Sequence, residues 1–200
     1  MIFGSSYGAK NILIVEGENE KHFFEEFKDY LTSPMEIKVC NVLQEKIKKN
    51  ITGKKYDIAC FVFDIDVLCK NNSQNQCIEK LDENFKSILS KKKYILIESK
   101  NLEDEFVRCS EGLSSFKELC SIFNCKQEST SEFKKKFNNS KNLPFKEGWK
   151  LKILELYSEG IKYLDLFGLK NNLKSNIKSG KNIFKKDSDK RLKNKIKKSV

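Results

Sequence analysis

Two stretches decide the fold: NILIVEGENE at residues 11–20 and IACFVFDID at residues 58–66. Each is a short apolar run that stops abruptly at an acid. A run of this length, bounded by turn signals, fits a strand buried on both faces. Such strands belong to parallel sheets covered by helices. After Glu16-Gly17 the pattern turns helical from Glu18 to Leu31, with Phe24, Phe27 and Leu31 on one row and Phe23 alongside. Thr32-Ser33-Pro34 stops that helix. Glu36–Val42 reads as a second strand, and residues 43–52 as a short polar helix closed near Gly53. Beyond Asp66, KNNSQNQ at 70–76 is turn-like. Ile78, Leu81, Phe85, Ile88 and Leu89 then take helical spacing, and Tyr94–Ile97 reads as a fourth strand ending at Glu98.

Strands that alternate with helices predict βαβ units and a doubly wound, Rossmann-like parallel α/β sheet with helices on both faces. Ligands bind such sheets at the carboxyl ends of the strands. Glu16, Asp64, Asp66 and Glu98 all fall at those ends or just past them. After Asn101 the sequence predicts helices: Leu102, Phe106 and Cys109 form one stripe, and Phe116, Leu119, Ile122 and Phe123 another. Residues 126–142 read as a polar loop with a short helix around Phe133 and Phe137, and Gly148–Phe167 as one or two helices. The expected organisation is a sheet domain over 1–110, a helical extension packed on it over 111–170, and a basic, flexible tail over 171–200.

The chain of 200 residues is 38% hydrophobic, enough for a core, and its mean hydropathy is −0.57. No apolar run approaches the ~20 residues of a membrane span. Residues 1–10 lack the features of a secretory leader, which predicts a cytoplasmic protein. Seven cysteines with no CxxC pair and a single histidine exclude the Cys/His zinc patterns. The cysteines are expected to be reduced thiols. Lys and Arg exceed Asp and Glu by 39 to 28, a net +11. Residues 171–200 hold eleven Lys/Arg against two Asp, so +9 of that charge lies at one end. There Leu192, Ile196 and Val200 share a helix face ringed by Lys190, Arg191, Lys193, Lys195, Lys197 and Lys198. A basic amphipathic segment of this kind can bind a phosphate backbone, an acidic lipid surface or a protein.

The acids carry the chemistry. Nothing in strand propensity asks for Glu16 at the end of a buried run. Glu20 lies on the first helical turn, in the row of Phe24, Phe27 and Leu31, and so faces the sheet edge. Glu18 reads as a helix-dipole acid. Asp64 and Asp66 fall on one side if the strand continues, and two close carboxylates repel unless a cation or proton intervenes. Hard divalent ions take such oxygen ligands. Glu103 and Glu105 flank the buried face of the helix after Glu98, and Lys100 stands where it can neutralise a phosphate. His22 reads as a surface residue, and Trp149 as core or interface.

ILIVEGENE together with FVFDID resembles the TOPRIM superfamily, most closely its small RloB-like and OLD-like nucleases. The resemblance covers residues 10–106. It implies that Glu16 is the superfamily's strand-end glutamate, that Asp64 and Asp66 are its DxD pair, and that Glu20 is the second acid of the OLD-like members. ESKNLEDEF at 98–106 sits where RloB-like chains carry a strand end followed by an acidic helix, without their Pro and Trp. The implied activity is a Mg²⁺- or Mn²⁺-dependent nuclease holding one or two ions and cutting RNA or DNA. The metal set would be Glu16, Glu20, Asp64, Asp66 and Glu105, with Glu16 and Lys100 catalytic. The implied setting is prokaryotic anti-phage defence with an ATPase partner. Two rivals remain from the residues alone. One is a HAD-type phosphatase, since FVFDIDVL also fits that family's first motif. The other is a TOPRIM scaffold that binds nucleic acid or a partner protein without cutting.

Overall fold

The computed structural model describes residues 11–65, 74–98, 100–159, 162 and 169–196. Asp66, Lys197 and Lys198 lie outside the described residues. Four parallel strands form one sheet in the order β2-β1-β3-β4. They are β1 (Asn11–Val15), β2 (Met35–Val39), β3 (Lys55–Asp64) and β4 (Leu89–Glu98). Helix α1 (Glu18–Glu26) joins β1 to β2, and α2 (Lys49–Thr52) precedes β3. Helix α3 (Gln74–Ser87) leads into β4, followed by α4 (Leu102–Arg108), α5 (Phe116–Ile122) and α6 (Thr130–Asn138). Two short C-terminal helices follow, α7 (Asn171–Lys174) and α8 (Ser188–Ile196). No described helix is long and apolar enough to cross a membrane.

The sheet is apolar on both faces, and its period of two sorts the residues cleanly. Leu13, Val15, Cys60, Val62 and Leu96 face α1, with Phe23, Phe24 and Phe27 fully buried against them. Ile12, Ile14, Ala59, Phe61, Phe63, Ile95 and Ile97 face α3, against Ile78, Leu81 and Phe85. Each phenylalanine sealed in this way contributes roughly 1.5–3 kcal/mol. The order places β1 between β2 and β3, so the connections from β1 and to β3 diverge at the β1/β3 edge. In open α/β sheets that divergence opens a crevice at the strands' carboxyl ends.

Three expectations are corrected. Residues 148–159 hold no α-helix. Leu151, Ile153, Leu156 and Tyr157 are all buried, and the backbone is tied to the α4–α5 turn by Lys152 N–H to Cys109 O and Glu111 N–H to Lys150 O. That pairing leaves a 3₁₀ turn at Ile153–Glu155 in place of an α-helix. Next, β4 is longer than its apolar part, because Lys91 and Lys92 extend it at an exposed end. Finally, residues 169–196 are folded onto the body. Leu173 and Ile177 enter the core on the α3 face, while Ile183, Phe184 and Leu192 enter it on the α1 face. Ile177 even extends the sheet: Ile95 N–H donates to Asn176 O and Lys178 N–H to Ile95 O, both at 2.8 Å. Lysine richness masked this, since the five apolar anchors are spread thinly among charges. The helix around Phe133 and Phe137 is present as α6, with Ser129 capping it through Glu132 N–H.

Candidate metal centre

Strand parity brings the acids together. Asp64 continues the Cys60–Val62 face of β3, and Glu98 the Leu96 face of β4. The two are direct partners in the parallel register. Both therefore point toward α1, from which Glu20 arrives. One carboxylate oxygen from each of Glu20, Asp64 and Glu98 lies within 4.8 Å of the other two.

Gly17 allows Glu20 to take this position. The backbone of Gly17 is ordinary and extended, but a Cβ there would come within 2.9 Å of Glu20 Oε2. The glycine makes room for the protein's own carboxylate, folded back over the helix start.

The electrostatics are those of uncompensated burial. Glu98 is fully buried, and neither of its oxygens meets a hydrogen-bond donor among the described residues. Burial pushes its carboxyl well above the ordinary range. The neighbouring Asp64, by its charge and by favouring the protonated form of Glu98, pushes it further, followed by Glu20 and Glu105. Glu20 is also raised, first by burial and then by the charge of Glu16 and Glu103, against relief from its own backbone N–H and from Lys134. A buried carboxylate is costly unless it is paired, protonated or metal-bound. The oxygen spacing suits an ion: opposite ligands of Mg²⁺ stand ~4.2 Å apart. Three hard oxygen donors, two of them on buried residues and that of Glu98 without a hydrogen-bond donor among the described residues, fit a small divalent cation.

The other predicted site residues are placed as follows. Glu16, at the tip of β1, lies one step outside this trio. Its carboxylate accepts Asp64 N–H at 3.0 Å and Asn41 Nδ2 at 3.1 Å, which ties together the ends of β1, β3 and the segment after β2. Glu105 is fully buried but committed elsewhere, to Arg108 at 2.5 Å and to Tyr157 N–H at 2.8 Å. Glu103 pairs with Lys134 of α6 at 3.7 Å. Lys100 is exposed just past β4. His22 is structural: its Nε2 sits 2.8 Å from Ser140 O, and its ring meets the Phe137 ring edge-on. Trp149 is buried, and its indole N–H bonds Ser110 Oγ.

Of the basic residues at 190–196, Lys193 pairs with Glu111 at 2.7 Å, and Arg191 lies over the Tyr30 ring. Tyr30 precedes β2 and Met35 opens it, so Arg191 stands at the opposite end of the sheet from the carboxylates. The six described cysteines are free thiols.

Sequence reasoning missed two residues. Glu98 was legible as a strand-end acid, but its partnership with Asp64 depends on β3 and β4 being neighbours in register. Tyr157 gave no signal beyond its apolar neighbourhood. No known protein family, curated protein or solved structure matches the chain. Fold and site together define a parallel α/β protein with a buried carboxylate centre at its strand tips.

Proposed function

We propose that this protein is a Mg²⁺- or Mn²⁺-dependent nuclease of the TOPRIM kind, acting on phosphodiesters of RNA or DNA. One observation carries the reading: Glu20, Asp64 and Glu98 converge at the carboxyl ends of a parallel sheet, with Glu98 buried and short of donors. Glu20, Asp64 and Glu98 would hold the cation. Glu16 steadies Asp64 through its backbone N–H and stands as the outer acid able to accept or return a proton. The cation, when bound, activates a water and neutralises charge on the leaving oxygen. Lys134, beside Glu103 and Glu20, and Lys100, exposed past β4, supply positive charge for a phosphate. The resemblance to small RloB-like chains extends the proposal to anti-phage defence under an ATPase partner.

The test is cleavage of RNA, single-stranded DNA and duplex DNA by purified protein with Mg²⁺ or Mn²⁺. Metal-dependent cutting that is lost in Asp64→Asn and Glu98→Gln supports the reading. Metal-dependent binding without cutting would favour the scaffold reading. Phosphate release from small esters alone would favour a phosphatase.

A further inference from the structure

Tyr157 combines three anomalies that no need of the core explains. Its backbone is left-handed, φ +60°, a conformation bulky side chains rarely adopt. It is fully buried, yet its phenol oxygen has no hydrogen-bond partner among the described residues. Its surroundings are acidic: burial raises the phenol well above its ordinary range, and the charges of Glu98, Glu105 and Glu20 raise it further. The ring stacks on Phe24, one helical turn after Glu20 on α1, at 6.3 Å and 11° between planes.

The strained turn is held from every side. Glu105 Oε2 accepts Tyr157 N–H at 2.8 Å, and Gly180 N–H reaches Leu156 O at 2.7 Å. Arg108 grips Glu155 O at 3.0 Å and Ser158 Oγ at 3.1 Å. A Cβ on Gly180 would fall 2.5 Å from Ile153 O, so only glycine lets the C-terminal segment press on this turn. Strain maintained by so many ties is a mark of a functional position.

Tyr157 belongs to the same buried layer as Val62 and Leu96, the residues two before Asp64 and Glu98 on their strands. Among the described residues its phenol lacks an acceptor, both Glu98 oxygens lack a donor, and the two do not bond each other. The pairing is incomplete without a third species that accepts from the phenol and satisfies the carboxylate. We infer that Tyr157 is a positioning residue of the carboxylate centre, its phenol donating to an oxygen ligand that enters with the divalent cation held by Glu20, Asp64 and Glu98. This inference rests on the cation-binding reading above and assigns part of the centre to the segment beyond residue 110. The phenol stays protonated throughout; it orients and does not transfer its proton.

The experiment is Mn²⁺ titration by calorimetry of wild type and Tyr157→Phe, with thermal unfolding of both metal-free proteins. Removing a hydroxyl that has no partner leaves the metal-free unfolding midpoint equal or higher. Losing a residue that orients the ligands of a metal costs about tenfold or more in metal affinity. Wild-type protein should also show a tyrosine difference spectrum on adding Mn²⁺ that Tyr157→Phe reduces. Equal Mn²⁺ affinity in both proteins would overturn the inference, leaving cation binding intact. A lowered midpoint with unchanged affinity would make the phenol part of the packing and overturn it too. Wild-type protein that takes up no Mn²⁺ would overturn both the cation reading and this inference.

Discussion

Two buried acids, one on a helix and one on the sheet, are treated in opposite ways. Asp82 on α3 is 3% exposed, and Glu98 at the tip of β4 is fully buried. Asp82 receives Lys86 at 2.8 Å, Lys170 at 3.0 Å and Asn172 Nδ2 at 3.0 Å. Burial alone would raise its carboxyl, but the hydrogen bonds from Asn172, Lys86 and Lys170 outweigh burial and hold it far below the ordinary range. Glu98 receives no donor, and Asp64, Glu20 and Glu105 surround it with more negative charge. The first arrangement is finished within the chain and pins the C-terminal segment to α3. The second is unfinished. A structural carboxylate arrives with its cations, whereas a ligand-binding one waits for them from outside.

The contrast is broken most sharply by substituting each acid. Asp64→Asn or Glu98→Gln is expected to cut metal-dependent cleavage by roughly 10³-fold, since a catalytic cation supplies several kcal/mol of charge stabilisation. The same changes leave metal-free stability equal or raised, because they relieve repulsion. Asp82→Ala should do the reverse. It removes three charge-assisted contacts and costs about 2 kcal/mol of stability, read as a lower urea midpoint with an unchanged slope, while cleavage per folded molecule is retained.

The pH dependence of stability sharpens the comparison. The folded-state pKa of Glu98 lies above its unfolded value, so the folded protein holds the extra proton. Its contribution is complete below the ordinary carboxylate range and is lost as pH rises through the elevated value. Asp82 has a depressed pKa, so its contribution is present above the ordinary range and is lost as pH falls through the lower value. Urea midpoints of metal-free protein measured from acid to neutral pH should therefore be flatter in Glu98→Gln than in wild type on the alkaline side. In Asp82→Ala the loss at low pH should be blunted.

A smaller effect belongs to Gly17. In Gly17→Ala the new methyl meets the mobile end of Glu20 at 2.9 Å. The carboxylate swings aside at little cost in stability, and Mn²⁺ affinity drops by a factor of about 10, the scale seen when groups orienting metal ligands are changed. Smallest of all is the change in nucleic-acid binding from Lys193→Ala. Lys193 is already neutralised by Glu111 at 2.7 Å, so the salt dependence of affinity should shift by well under the ~0.9 per phosphate contact expected of a free lysine on duplex DNA.

Much of the sheet and part of the centre were legible in the sequence for one reason: buried parallel strands announce themselves as apolar runs, and an acid at the end of such a run has no packing role there. Thus Glu20 and Asp64, which the structure brings together, and Glu16 just outside them stand out from local pattern alone. What the sequence withheld was non-local. Glu98 joins the centre only through its register with Asp64, and Glu105 leaves it because Arg108 and the Tyr157 turn claim it. The fold of residues 169–196 was hidden because Leu173, Ile177, Ile183, Phe184 and Leu192 fit no single period, each docking on a different element. Tyr157 was invisible because a left-handed turn in an apolar stretch has no signature unless glycine or asparagine occupies it.

The most direct test of the central claim is calorimetric titration of Mn²⁺ into metal-free wild type and Glu98→Gln, each with its unfolding midpoint. The account predicts saturable binding in wild type that raises the midpoint, and loss of that binding in Glu98→Gln without any fall in its metal-free midpoint. Undiminished Mn²⁺ binding in Glu98→Gln, or a metal-free midpoint well below that of wild type, would contradict it, because Glu98 would then be a structural acid like Asp82.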